Sequence, residues 1–157
     1  MNSLSQQQII KIIDRVMKDI TSQMNDDLRN TEDSISFSEN VCSICTTFEG
    51  GYHATLALSV DTSLLVRLAQ QVMQEENVPS EYLEDFAKEY FNVICGQIAA
   101  NLFQAANISS RFQIPTFSTE RYKVDENSVS QEVLNYTSNH NEGAQLIHQA
   151  PLEKSAE

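Results

Sequence analysis

Positive charge is scarce in this chain. Its 10 lysines and arginines stand against 22 aspartates and glutamates, a formal net charge of −12 with a sequence pI near 4.5. That balance argues against nucleic acid and against an anionic membrane as partners, because binding either depends largely on Lys and Arg meeting phosphates or lipid headgroups. A partner with a basic rim fits it better. Cysteine is also sparse. Cys42, Cys45 and Cys95 are an odd set, and although Cys42-x-x-Cys45 invites a redox or metal reading, residues three apart in a strand point to opposite faces. No second Cys pair or suitably spaced His pair completes a zinc site, so the thiols read as structural and no metal site is expected. No apolar run approaches the roughly 18 residues of a membrane span. The first residues lack the basic start and apolar run of a secretory signal, which places the expected location in the cytoplasm. Repeats and low-complexity runs are missing too. His53, His140 and His148 are scattered, with no carboxylate or serine at a telling spacing, and read as surface or strand histidines.

What is present suits one core. A chain of 157 residues with 41% hydrophobic content is long enough for one buried core and short for two domains; the expected organisation is a single domain over residues 1–152 and a disordered tail over 153–157. After Ser5, the residues Ile9, Ile12, Ile13, Val16, Met17, Ile20, Met24 and Leu28 recur at helical intervals. Residues 25–34 are polar and read as a helix end and solvated loop. From Ile35 the texture turns to β, and two β-prone runs around Gly50-Gly51 predict a hairpin. Asp61 is placed to cap a helix carrying Leu64, Leu65, Leu68 and Ala69, and Ser80 to cap the next. Beyond Asn107, the run Phe112 to Phe117 contains Pro115, which confines it to a sheet edge or a strand beginning. Glu132 to Tyr136 and Ala144 to His148 predict a second hairpin. The expected fold class is α+β: an antiparallel sheet with long helices packed on one face.

The informative stretch is Tyr82 to Gln104, a helix that carries Asp85-x-x-x-Glu89-x-x-Asn92-x-x-x-Gly96. At about 100° per residue these four positions gather on one stripe, while Leu83, Ala87, Phe91, Ile94, Ile98 and Leu102 fall on the opposite side. An acid and an amide are therefore presented outward. Gly96 lies far from either end, where glycine costs about 1 kcal/mol relative to alanine. Two readings account for it: a partner pressing close to the stripe, or a tight crossing by a neighbouring element of the same fold. Asp85 either extends the partner-facing stripe or is an ordinary exposed acid. Tyr90 and Phe103 lie at its flanks, open to a partner or to the core.

This motif, placed after the Phe48-Glu-Gly-Gly51 turn, the strand to Val60 and the Leu64 to Met73 helix, and followed by Ile114-Pro115-Thr116, resembles the CheC/CheX group of chemotaxis phosphatases. Its single copy points to the CheX-like branch. The resemblance implies hydrolysis of the aspartyl phosphate of a CheY-type response regulator, with Glu89 pairing with the regulator's active-site lysine and Asn92 placing its amide beside the attacking water. Asp85 and Gly96 would meet the partner. It implies no cofactor of the chain's own, Mg²⁺ in the partner's phosphorylation site, and a homodimer joined through sheets. The chemistry of the residues agrees: phosphoryl transfer has a loose transition state in which positioning a water does much of the work, and an amide both donates and accepts hydrogen bonds. A non-catalytic adaptor that docks a receiver domain is the alternative.

Overall fold

The computed structural model describes residues 4–32, 37, 40–124 and 129–151. The expected tail over 153–157 and the start of the β texture at Ile35 lie outside them.

Helix α1, Gln6–Ser22, opens on a reciprocal cap: the Ser5 hydroxyl accepts from the Gln8 N–H while the Gln8 side chain accepts from the Ser5 N–H. That satisfies two of the amides a helix start leaves open. Its buried face is Ile12, Ile13, Val16, Met17 and Ile20. The helix ends earlier than the hydrophobic spacing predicts, because Asn25 takes a left-handed φ of 60° and turns the chain. Leu28 still reaches the core, from the loop.

The strands β1 (Arg29–Asn30), β2 (Val41–Gly50), β3 (Ala54–Asp61), β4 (Ser110–Phe112), β5 (Thr116–Ser118), β6 (Val129–Thr137) and β7 (Gly143–Pro151) form one 7-stranded sheet in the order β1-β6-β7-β3-β2-β4, with β5 also paired to β2. Every pairing is antiparallel. The proline-bearing run is the edge strand, as Pro115 requires, and it is split: β4 and β5 each pair with β2, while Gln113 to Pro115 lie between them. Helices α2 (Thr62–Met73) and α3 (Ser80–Ala106) complete the α+β fold. Ile44, Phe48, Leu56, Leu58 and Leu146 of the sheet share one hydrophobic cluster with Met17, Leu65, Leu68 and Phe91 of the helices.

The opposite sheet face is covered in part by the chain after β5. Ser43 donates to the Glu120 carbonyl at 2.7 Å, the Tyr122 N–H donates to the Ser59 hydroxyl at 3.0 Å, and the Tyr122 hydroxyl donates to Gln149 at 2.7 Å. Both expected caps need correction. Asp61 stands at the N-cap of α2, but its side chain accepts from the Gly143 N–H at 2.7 Å and makes no capping bond. Helix α3 begins at Ser80 itself, with Pro79 at the cap position. Proline suits that boundary, since it has no N–H to leave open.

The β2–β3 turn positions the end of α3. Gly51 donates its N–H to the Ser109 carbonyl at 2.8 Å. A Cβ on Gly50 or Gly51 would sit 3.0 Å from that same oxygen, and Gly50 has φ +102°, which L side chains rarely adopt. The glycine pair is thus required where the hairpin grips the chain leaving α3.

Candidate functional site

Helix α3 is two-faced. Ala87, Phe91, Ile94, Ile98 and Leu102 are fully buried, and sealing a side chain such as Phe91 or Ile94 contributes about 1.5–3 kcal/mol each. On the other side Asp85, Glu89 and Asn92 are exposed and Gly96 is half-exposed. Acids at the start of the helix, where Glu81 lies in the first turn, favour its positive dipole end.

Besides shared apolar packing, side-chain hydrogen bonds tie α3 to α1. The Tyr90 hydroxyl and the Thr21 hydroxyl lie 2.6 Å apart, and Arg15 donates to Asn101 at 3.1 Å. Tyr90 is 3% exposed, and burial lifts its hydroxyl to about 12, so it remains a neutral hydrogen-bonding group. Of the two flanking aromatics, then, Tyr90 belongs to the core and Phe103 to the surface.

The motif side chains are left free. Lys88 pairs with Glu84 at 3.1 Å, and neither Glu89 nor Asn92 has a hydrogen-bond or ion-pair partner among the described residues. A Cβ built on Gly96 meets nothing within 4 Å, which removes the tight-crossing reading of that glycine. No other element of the described fold gains from the missing side chain.

A second polar cluster, scattered in sequence, gathers around Arg67 in the middle of α2. Arg67 Nη1 lies 2.6 Å from Asp26 Oδ2 and Arg67 also pairs with Glu142. Asp26 accepts from the Asn139 N–H at 3.3 Å, and Ser138 donates to Glu142 at 2.9 Å. Burial works against charge on both Arg67 and Glu142, yet their mutual hydrogen bonds prevail, raising the arginine and lowering the glutamate from their ordinary values. The polar loop expected over residues 25–34 thus hides Asp26, 1% exposed. His140, expected to have no carboxylate within reach, is brought beside Asp26 and Glu142, the three ligand-capable atoms lying within 4.8 Å of one another. The guanidinium already supplies the positive charge those carboxylates need, so a cation placed there would have to displace it. His148 lies in β7, as a strand histidine; it is buried, neither ring nitrogen has a hydrogen-bond partner among the described residues, and burial pushes it down to about 4.

The family model described as Chemotaxis phosphatase CheX matches residues 42–137, and the chain belongs to that family. No curated protein sequence matches it. Among solved structures, the chemotaxis protein CheX from Vibrio vulnificus is similar with a TM-score of 0.76 at 12% identity, over 90% of this chain and 97% of that one. CheX from Desulfovibrio desulfuricans gives 0.72 at 14% identity, over 90% and 99%. The CheX–CheY–BeF3–Mg²⁺ complex from Borrelia burgdorferi gives 0.66 at 15% identity, over 90% and 94%. At such identities these likenesses establish the fold. No helix among the described residues is long and apolar enough to cross a membrane.

Proposed function

We propose that this protein is a phosphatase for the aspartyl phosphate of a CheY-type response regulator. The observation that carries the reading is the exposed pair Glu89 and Asn92, without side-chain partners among the described residues, beside an open Gly96, on a helix of a CheX-family chain. That a CheX of similar fold was solved with CheY, BeF3 and Mg²⁺ supports the choice of partner.

In this reading α3 enters the rim of the regulator's phosphorylation pocket. Glu89 pairs with the regulator's lysine. A carboxylate beside a phosphoryl group is tolerable only when a cation neutralises it, which favours anchoring over a role as general base. Asn92 holds the attacking water in line with the phosphorus, the amide oxygen accepting from the water and the amide N–H₂ donating to an oxygen of the transferred group. Asp85 extends the acidic approach toward the partner's basic rim, and Gly96 lets the partner come close to the helix backbone. Mg²⁺ belongs to the partner's acidic pocket. The protein works in the cytoplasm as a homodimer.

The test is loss of phosphate from a purified receiver domain phosphorylated with a small-molecule donor in the presence of Mg²⁺. Wild type accelerates the loss; Asn92→Ala abolishes the acceleration and keeps much of the binding; Glu89→Ala weakens docking as well. If wild type accelerates none of the receiver domains encoded by its organism, the enzyme reading fails and a receiver-binding adaptor replaces it.

A further inference from the structure

Helix α3 changes character after Glu89, the tenth of its 27 residues. That opening stretch carries Glu81, Glu84, Asp85 and Glu89 against Lys88, whereas from Tyr90 through Ser110 the sequence holds no charged residue at all. The solvent side of that neutral half is not merely polar. Val93 is 38% and Phe103 is 54% exposed, and Ala100 is exposed between them. Counting about 100° per residue from Glu89, Val93, Gly96, Ala100 and Phe103 all fall within about 40° of it. They continue the motif stripe toward the helix C-terminus.

From the structure we infer that this neutral half is a second docking zone: a bulky apolar side chain of the same receiver domain seats over Gly96, between Val93 and Phe103. The inference rests on the phosphatase reading for the identity of the partner, and it adds the direction in which that partner lies along the helix. The charge pattern argues for one occupant. A surface that brings a lysine to Glu89 has its cationic side matched to the acidic start of α3, and about 10 Å further along, the distance from Glu89 to Gly96 at 1.5 Å per residue, it meets an uncharged ledge where Val93, Ala100 and Phe103 are exposed beside the amides Asn92, Gln97 and Gln104. Gly96 is the open notch in that ledge, since a Cβ added there would meet nothing within 4 Å. An exposed Phe with no intramolecular need for exposure is the sort of anchor from which interfaces draw their affinity. The partner is thereby held at two points, which fixes the Asn92 amide over the phosphoryl group.

The experiment measures binding and turnover with receiver domains of the same organism, each loaded with beryllofluoride and Mg²⁺ for affinity and phosphorylated for rate. Phe103→Ser should weaken binding roughly tenfold, about 1.4 kcal/mol, with the loss falling on the half-saturating receiver concentration. Phe103→Leu should restore most of it. Since Phe103 is exposed, both variants should melt within a degree or two of wild type. An unchanged affinity for Phe103→Ser, in a protein whose wild type binds the receiver and whose Asn92→Ala variant has lost turnover, overturns the docking zone and leaves the phosphatase reading standing. A change in sedimentation instead of receiver affinity identifies a second copy of the chain as the occupant and overturns it likewise. Failure of wild type to bind any receiver overturns both.

Discussion

The two polar constellations of this protein are built from the same kinds of side chain and treated in opposite ways. At the Arg67 cluster, Asp26 and Glu142 are each paired with the guanidinium and further hydrogen-bonded to the β6–β7 turn. On α3, Glu89 and Asn92 face solvent with no partner among the described residues. The first arrangement satisfies buried charge, which is obligatory once Asp26 is taken out of water. The second leaves hydrogen-bonding capacity unused, which is tolerable only in solvent and useful only to a visitor. A carboxylate that holds the fold together is consumed by its neighbours; one that meets a partner must be kept from them, and Lys88, next to Glu89 in sequence, pairs with Glu84 instead.

The contrast is open to direct attack. Arg67→Met leaves Asp26 and Glu142 facing each other without their cation and should lower unfolding free energy by about 3 kcal/mol, read from urea denaturation; a change under about 0.5 kcal/mol, the ordinary surface value, would place the cluster among inconsequential ion pairs. Glu89→Lys should do the reverse, leaving the melting temperature in place while weakening receiver binding about a hundredfold, about 2.7 kcal/mol. His148 supplies an intermediate effect that depends on pH. Its ordinary value is 6.5 and burial pushes it to about 4, so as pH falls toward 5 the unfolded chain takes up a proton that the folded chain refuses. Stability is therefore full above about pH 6.5 and should drop by about 2 kcal/mol by pH 5, and His148→Phe should remove this share of the pH dependence. Gly96→Ala is the smallest change and the most discriminating. It should raise stability by up to about 1 kcal/mol, because a mid-helix glycine is replaced where there is room, and at the same time reduce receiver affinity. A variant that is more stable and binds as well as wild type would show that the notch has no occupant.

Much of the fold was legible because it depends on local periodicity. The buried and exposed faces of α3, both hairpins and the edge position of the Pro115 run follow from spacing that any sheet or helix imposes on its residues. Asp61 stands at the expected N-cap but does not cap, for a tertiary reason: it has the right chemistry, and the Gly143 N–H competes for its carboxylate across 82 positions of sequence. Tyr90 sits on the α3 boundary where the helical wheel cannot choose, and Thr21 of α1 chose for it. Asp26 lies in a segment whose composition reads as solvated, and only Arg67 and the β6–β7 turn give it a reason to be buried.

What the sequence determined alone was the stripe: Asp85, Glu89, Asn92 and Gly96 share a side because a helix repeats every 3.6 residues, and the apolar row opposite dictates which side turns inward. What only the tertiary structure decided was which polar groups would remain free on that side and which would be locked together elsewhere. Freedom of a side chain is set by what long-range packing brings within about 3 Å of it, and no periodicity along a single segment encodes that.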